Sequence, residues 1–239
     1  MNTPSDLLPD QGTDRPLVLV VQGSPRSDGN CAALALEAFN ACEVADLETI
    51  IVSAFDLMSG TEPCNGCLTC VATGKCAHED GVATLVDMLN EASGLLWITP
   101  VYFSSVPACL KGLIDRLQIF WAQRQRGTAL IFPQRRPASA LIVGSGQDPF
   151  GTQAVTLPLT SVSNIAEFTL SEPTVLSGLD DVDALLREEN AHKLDKARAT
   201  IQIFIKNVRE WDTAMRSSYE GLLRWDVTEG TDLPISEPR

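Results

Sequence analysis

The stretch PLVLVVQGSPRSDGNC, residues 16–31, decides the fold. Its first half is an unbroken β-prone run ending at Gly23, as expected of a parallel strand buried on both faces. Its second half is a polar turn leading into NCAALALEAFNAC (30–42), where Leu34, Ala38 and Ala41 share one helical face and Asn30 can act as N-cap. Strand, turn and helix in immediate succession form the opening unit of an α/β sheet.

The pattern repeats along the chain. LETIIVSAF (47–55) reads as a second strand, and residues 59–80 are a Gly/Pro/Cys-rich loop. VATLVDMLNEA (82–92) is an amphipathic helix, and GLLWITPVYF (94–103) is a strand running into a loop. Pro107 opens a helix over ACLKGLIDRLQIFWA (108–122), ASALIVGSG (138–146) is a strand ending in glycines, and a weaker strand falls near 167–175. A long helix spans about 182–211, with Leu185, Leu186, Leu194, Ala197, Ile201, Phe204, Ile205 and Val208 near one stripe that suits the last helix of the fold or a subunit contact. Five strand–helix units imply a doubly wound, five-stranded parallel sheet with helices on both faces.

The chain has 239 residues, enough for one sizeable domain, expected over 16–215 between a flexible leader (1–15) and a C-terminal arm (216–239). A net charge of −13 argues against nucleic acid or an anionic membrane as partner, and the apolar runs are far too short to span a bilayer. The leader has no basic start followed by an apolar run, so a cytoplasmic location and reduced cysteines are expected.

The turn after the first strand has the chemistry of an anion site. Successive backbone N–H groups and the positive end of a helix dipole meet there. Ser24, Ser27 and Asn30 add neutral donors, Arg26 a charged one, and Gly23 and Gly29 allow close backbone approach. Neither a dinucleotide glycine motif nor a Walker A ending is present.

GSPRSDGN (23–30) resembles the FMN-phosphate loop of the NADPH-dependent FMN reductases, and TPVYFSSVPACLKGLIDR (99–116) resembles their flavin-ring loop and following helix. The resemblance covers about 17–146 and implies a flavodoxin-like sheet of order 2-1-3-4-5 with bound FMN. Cys31 departs from it, standing where the family usually has Thr or Ser, and a thiol is the poorer donor. Pro100, Val101, Tyr102, Phe103 and Ser104 would offer backbone groups and apolar contact to the flavin, and Gly144 and Gly146 would approach its ring or ribityl chain.

Four of the seven cysteines, Cys64, Cys67, Cys70 and Cys76, follow C-x2-C-x2-C-x5-C. Two-residue gaps turn neighbouring thiolates toward one centre, and three in succession match a [4Fe–4S] run better than a zinc site, whose ligand pairs lie far apart in sequence. Zinc, a redox disulfide and bare thiols remain alternatives. The spacing also resembles the iron–sulfur flavoprotein branch of the same family. That branch implies one FMN and one [4Fe–4S] cluster per chain, a homodimer or homotetramer, and electron exchange with ferredoxin-like proteins. NAD(P)H is a further candidate donor.

Two other functions compete: a cluster-free NAD(P)H-dependent FMN or quinone reductase, and a redox carrier or sensor without turnover. No residue stands out as a general acid or base. Arg124, Arg126, Arg135 and Arg136 form a basic segment that either meets an anionic partner or balances local acidity. Cys42 and Cys109 read as core residues, and His78 and His192 as surface or packing residues.

Overall fold

The computed structural model describes residues 14–146 and 152–228, with side chains through 217. The sheet is parallel, in the order β2 (Glu48–Ser53), β1 (Leu17–Gln22), β3 (Gly94–Pro100), β4 (Arg136–Gly144), β5 (Phe168–Leu170). A sixth strand, β6 (Thr174–Ser177), also pairs with β4. The flavodoxin-like order expected from the resemblance is therefore present. The expected weak strand near 167–175 is two pieces on one edge: β5 lies beside Arg136–Ala138, and β6 beside Leu141–Gly144. Pro173, just before β6, has no N–H to continue the ladder.

The strands are buried on both faces because successive side chains point opposite ways. Leu17, Leu19, Val21, Leu95 and Trp97 face one apolar layer with α4 (Gly81–Glu91), α5 (Ala108–Arg116) and α7 (Gln153–Ile165). Val18, Val20, Leu96 and Ile98 face the other, with α1 (Asn30–Val44) and α8 (Ala191–Thr228). The only polar atom Trp97 brings into this core, Nε1–H, donates to Ser163 Oγ at 3.0 Å.

Several boundaries differ from the sequence reading. Ala54 and Phe55 leave the second strand for α2 (Ala54–Met58), because Ser53 Oγ caps Asp56 N–H. The helix expected over 108–122 breaks at Leu117 into α5 and α6 (Gln118–Arg126). The helix α7, with Pro158 inside it, was not anticipated. The last helix starts at Ala191 rather than near 182, since residues 184–190 form two 3₁₀ turns around an extended Arg187. Of its expected stripe, Leu186 is exposed, while Ala197, Ile201, Phe204, Ile205 and Val208 are buried.

That helix runs through Thr228, across positions read as an arm, and 229–239 lie outside the described residues. Of the expected leader, 1–13 are likewise outside. Asp14 pairs with Arg216, and Arg15 pairs with Glu43 and Asp46. Among the described residues no helix is long and apolar enough to cross a membrane.

Candidate functional site

Two recesses hold the residues singled out by sequence. The first is a groove of about 220 Å³ at the carboxyl ends of β1, β3 and β4, where open α/β sheets take their ligands. Its floor is the N-terminus of α1. The N-cap is Gly29, not Asn30; it makes no side-chain cap hydrogen bond, and no acidic residue occupies the first turn. The positive end of a 15-residue helix thus opens on the groove. Gly23 is required by close approach: a Cβ there would lie 2.6 Å from Leu110 Cδ2 and 2.9 Å from Thr99 Oγ1.

Ser24, Arg26, Gly29, Asn30, Cys31, Pro100, Val101, Tyr102 and Gly144 line the groove together. Ser24 Oγ accepts the Arg26 N–H at 3.1 Å, and Gln22 Nε2 donates to Arg26 O at 3.2 Å, so the turn shapes itself. The Asn30 amide is already engaged, donating to Asp181 O at 2.8 Å and accepting Leu185 N–H at 2.9 Å. It ties α1 to the segment that roofs the groove rather than offering a free donor. Ser27, Phe103, Ser104 and Gly146 are not among the lining residues. Phe103 (φ 48°) and Ser104 (φ 59°) form the tip of a turn closed by Tyr102 and Ser105, and the Phe103 side chain is wholly exposed. Sequence reading missed Val143, Ser145, Leu179 and Asp180. The glycine-containing SGLDD run after β6 was the available signal for the last two.

Cys31 is buried, and burial pushes its thiol up to about 12; Cys42 is pushed up to about 11. The thiolate is the nucleophile, so at pH 8 the buried Cys31 stays in its unreactive thiol form. Iodoacetamide at pH 8 is therefore expected to leave Cys31 and Cys42 unmodified until urea is added. Cys67, exposed and with its pKa lowered by a hydrogen bond to Thr69, reacts early in metal-free protein. Peptide mapping that finds Cys31 labelled in the native state would refute this.

The second recess is a small pocket of about 40 Å³ lined by Cys64, Cys67, Cys70 and Cys76 together with His78 and Arg116. All seven cysteines are free thiols. The loop bends around this space through left-handed backbone at Gly66 (φ 71°), Leu68 (φ 60°) and Gly74 (φ 79°). The short α3 (Thr69–Thr73) carries Cys70. From below, Arg126 Nη1 donates to Val71 O and Ala72 O, and Gln123 Nε2 to Gly74 O. Arg116, from α5, is almost fully buried; it donates from Nη1 to Glu62 O at 2.8 Å and grips the Asp80 carboxylate through both Nη atoms at 3.0 Å. Among the described residues, no three His, Cys, Asp or Glu groups meet as ligands of one ion.

The basic segment is consumed by structure. Arg124 pairs with Glu167, Arg135 bonds Asn164, Arg126 holds the cysteine loop, and Arg136 is buried. Balancing of acidity describes Arg124, whereas Arg126 and Arg136 serve backbone carbonyls, which neither expectation foresaw. His78 lines the cysteine pocket, whereas His192 is exposed.

The chain is 40% identical over 99 residues to an iron–sulfur flavoprotein of Methanocaldococcus jannaschii, covering 41% of this chain and 50% of that protein. An iron–sulfur flavoprotein of Archaeoglobus fulgidus is 30% identical over 99 residues, covering 41% and 43%. The chain thus spans about half the length of the curated relatives it matches. Among solved structures, RosB with a bound formylriboflavin phosphate intermediate superposes with a TM-score of 0.59 at 13% identity, covering 92% of this chain and 91% of that one, a likeness of fold alone. Residues 16–176, from the first strand into β6, match the sequence model of the NADPH-dependent FMN reductases, and this chain belongs to that family.

Proposed function

We propose that this chain is an FMN-dependent electron-transfer oxidoreductase that carries a [4Fe–4S] cluster on Cys64, Cys67, Cys70 and Cys76. The observation that carries the reading is that all four cysteines line one small pocket, in a chain whose first helix presents an uncapped N-terminus to a separate groove. A zinc ion would need its sulfurs gathered at about 2.3 Å from one point. A four-iron cluster takes one thiolate per iron and spaces its ligands more widely, which suits a ring of thiols around a cavity.

The groove fits FMN by its donor set. The first-turn N–H groups of α1 and the Arg26 guanidinium would hold the phosphate, while Pro100, Val101, Tyr102 and Gly144 flank the ring. Asp180, an acceptor beside an anion site, suits the ribityl hydroxyls rather than the phosphate. When bound, the two groups couple one-electron partners to two-electron chemistry. The chain's own contribution is position: the loops fix orientation, and buried strand ends exclude water from one side. NAD(P)H or a ferredoxin-like protein is the proposed donor, and a homodimer or homotetramer the proposed assembly.

Anaerobically purified protein is expected to contain about one flavin and four iron per chain, with matching acid-labile sulfide. Flavin with neither iron nor sulfide removes the cluster from the proposal, and absence of flavin removes the FMN. Arg26→Ala is expected to weaken FMN binding roughly tenfold to hundredfold, the loss of one charge-assisted hydrogen bond. Fluorescence titration of flavin-free protein measures it, and unchanged affinity would show that the backbone amides suffice.

A further inference from the structure

Arg116 has no place in the flavin groove and is not a ligand candidate, yet it is built into the cysteine pocket. Its side chain is 1% exposed. Three of its five N–H groups donate to Glu62 O and to the two Asp80 carboxylate oxygens. Of the remaining donors, Nε is buried and makes no hydrogen bond among the described residues. An orphaned buried N–H costs about 1–3 kcal/mol unless something accepts from it. The only recess that Arg116 lines among those described is the one ringed by Cys64, Cys67, Cys70 and Cys76. The guanidinium is paired with Asp80 and does not lose its proton in proteins, so the charge is permanent.

We propose that Arg116 is the electrostatic partner of the cluster, its Nε–H directed at cluster or cysteine sulfur and its charge raising the cluster's reduction potential, with Asp80 as the counterweight. This rests on the reading of the four cysteines as [4Fe–4S] ligands. Reduction adds one electron and hence one negative charge to an already anionic group; a fixed cation beside it favours the reduced state, and hydrogen bonds to sulfur act in the same direction. The Asp80 carboxylate, held by both Nη atoms, opposes it. The pair sets the potential through two opposed charges, whereas a purely structural clamp would depend on the pair's integrity alone.

The two roles separate by the sign of the effect. Wild type, Arg116→Lys, Arg116→Gln and Asp80→Asn are purified anaerobically and assayed for iron and sulfide. Their clusters are then titrated with dithionite, the one-electron signal followed by electron paramagnetic resonance against a potential scale. Arg116→Gln is expected to move the midpoint to more negative potential, Arg116→Lys to restore most of it, and Asp80→Asn to move it to more positive potential. Opposite shifts support the proposal. Midpoints that stay with wild type, or that move the same way in both Arg116→Gln and Asp80→Asn, overturn it and leave Arg116 a clamp for the loop. Should Arg116→Gln fail to retain iron, Asp80→Asn decides alone: a positive shift supports the proposal and an unchanged midpoint overturns it. Wild-type protein lacking iron and sulfide overturns the cluster reading itself, an outcome distinct from loaded variants with unchanged midpoints.

Discussion

Replacing Cys70 and Cys76 together by alanine is expected to strip iron from the purified protein, from about four per chain to below about one, while FMN stays bound. Two remaining thiolates cannot hold four irons, since each iron of the cluster needs its own protein ligand. The flavin survives because none of the residues lining the groove belongs to the cysteine loop. Folding survives as well: Cys64 and Cys67 are exposed, Cys70 and Cys76 only partly buried, and Cys70 touches the core at its margin. Parallel iron, sulfide and flavin assays check this. Full iron content in the double variant would place the metal elsewhere, and loss of flavin together with iron would mean the two recesses are structurally coupled.

The largest loss of stability is expected at Arg136, far from either recess. This side chain, 1% exposed, reaches from β4 under the sheet end. Nη1 donates to Leu89 O, Asn90 O and Ala92 O, and Nη2 to Ala166 O, so a single guanidinium satisfies the carboxyl-terminal carbonyls of both α4 and α7. Its carbon lies 4.2 Å from the Phe132 ring centre and 3.8 Å from that of Phe168. Burial pulls its pKa to about 9, still above neutral pH, so it stays charged. Arg136→Met keeps the apolar stem but orphans four carbonyls. A cost of about 3–5 kcal/mol follows, since each buried carbonyl left without a donor costs about 1–3 kcal/mol. In thermal unfolding this corresponds to a melting temperature lower by roughly 10 °C for a domain of this size. A variant within 2 °C of wild type would show that water replaces the guanidinium at these helix ends.

Much of the scaffold was legible in the sequence because parallel strands announce themselves. Residues 16–23 and 94–100 are continuous apolar runs, and a run buried on both faces has no other common explanation in a chain this size. The edge was less legible: β5 has three residues and β6 four, too few for any period to register. Helix α7 escaped because its Pro and its Ser/Thr content obscure the apolar stripe of Val155, Leu159 and Val162.

The site was legible where backbone and local spacing determine it, and opaque where distant segments meet. The turn at 23–31 and the four cysteines could be read locally. Asn30 could not: its residue type suits an N-cap, but contacts with Asp181 and Leu185, some 150 positions away, engage it otherwise. Arg116 was quoted only as the end of a helix motif, and nothing local tells that Asp80 and the cysteine loop will close over it. Arginines at 124–136 looked available because their acceptors, Glu167, Asn164 and the carbonyls of α3, belong to other parts of the chain.

The divided strand at the sheet margin has a consequence for life in a crowded solution. A long, flat outer strand exposes a row of unpaired amide groups that can zip onto another molecule and begin a fibril. Here that margin is three residues, a gap containing Glu172 and Pro173, then four residues. Neither piece is long enough to template a growing stack, and the proline at the junction withholds the donor that would join them. The irregularity that hid this edge from pattern reading is the same one that guards it against self-association through its backbone.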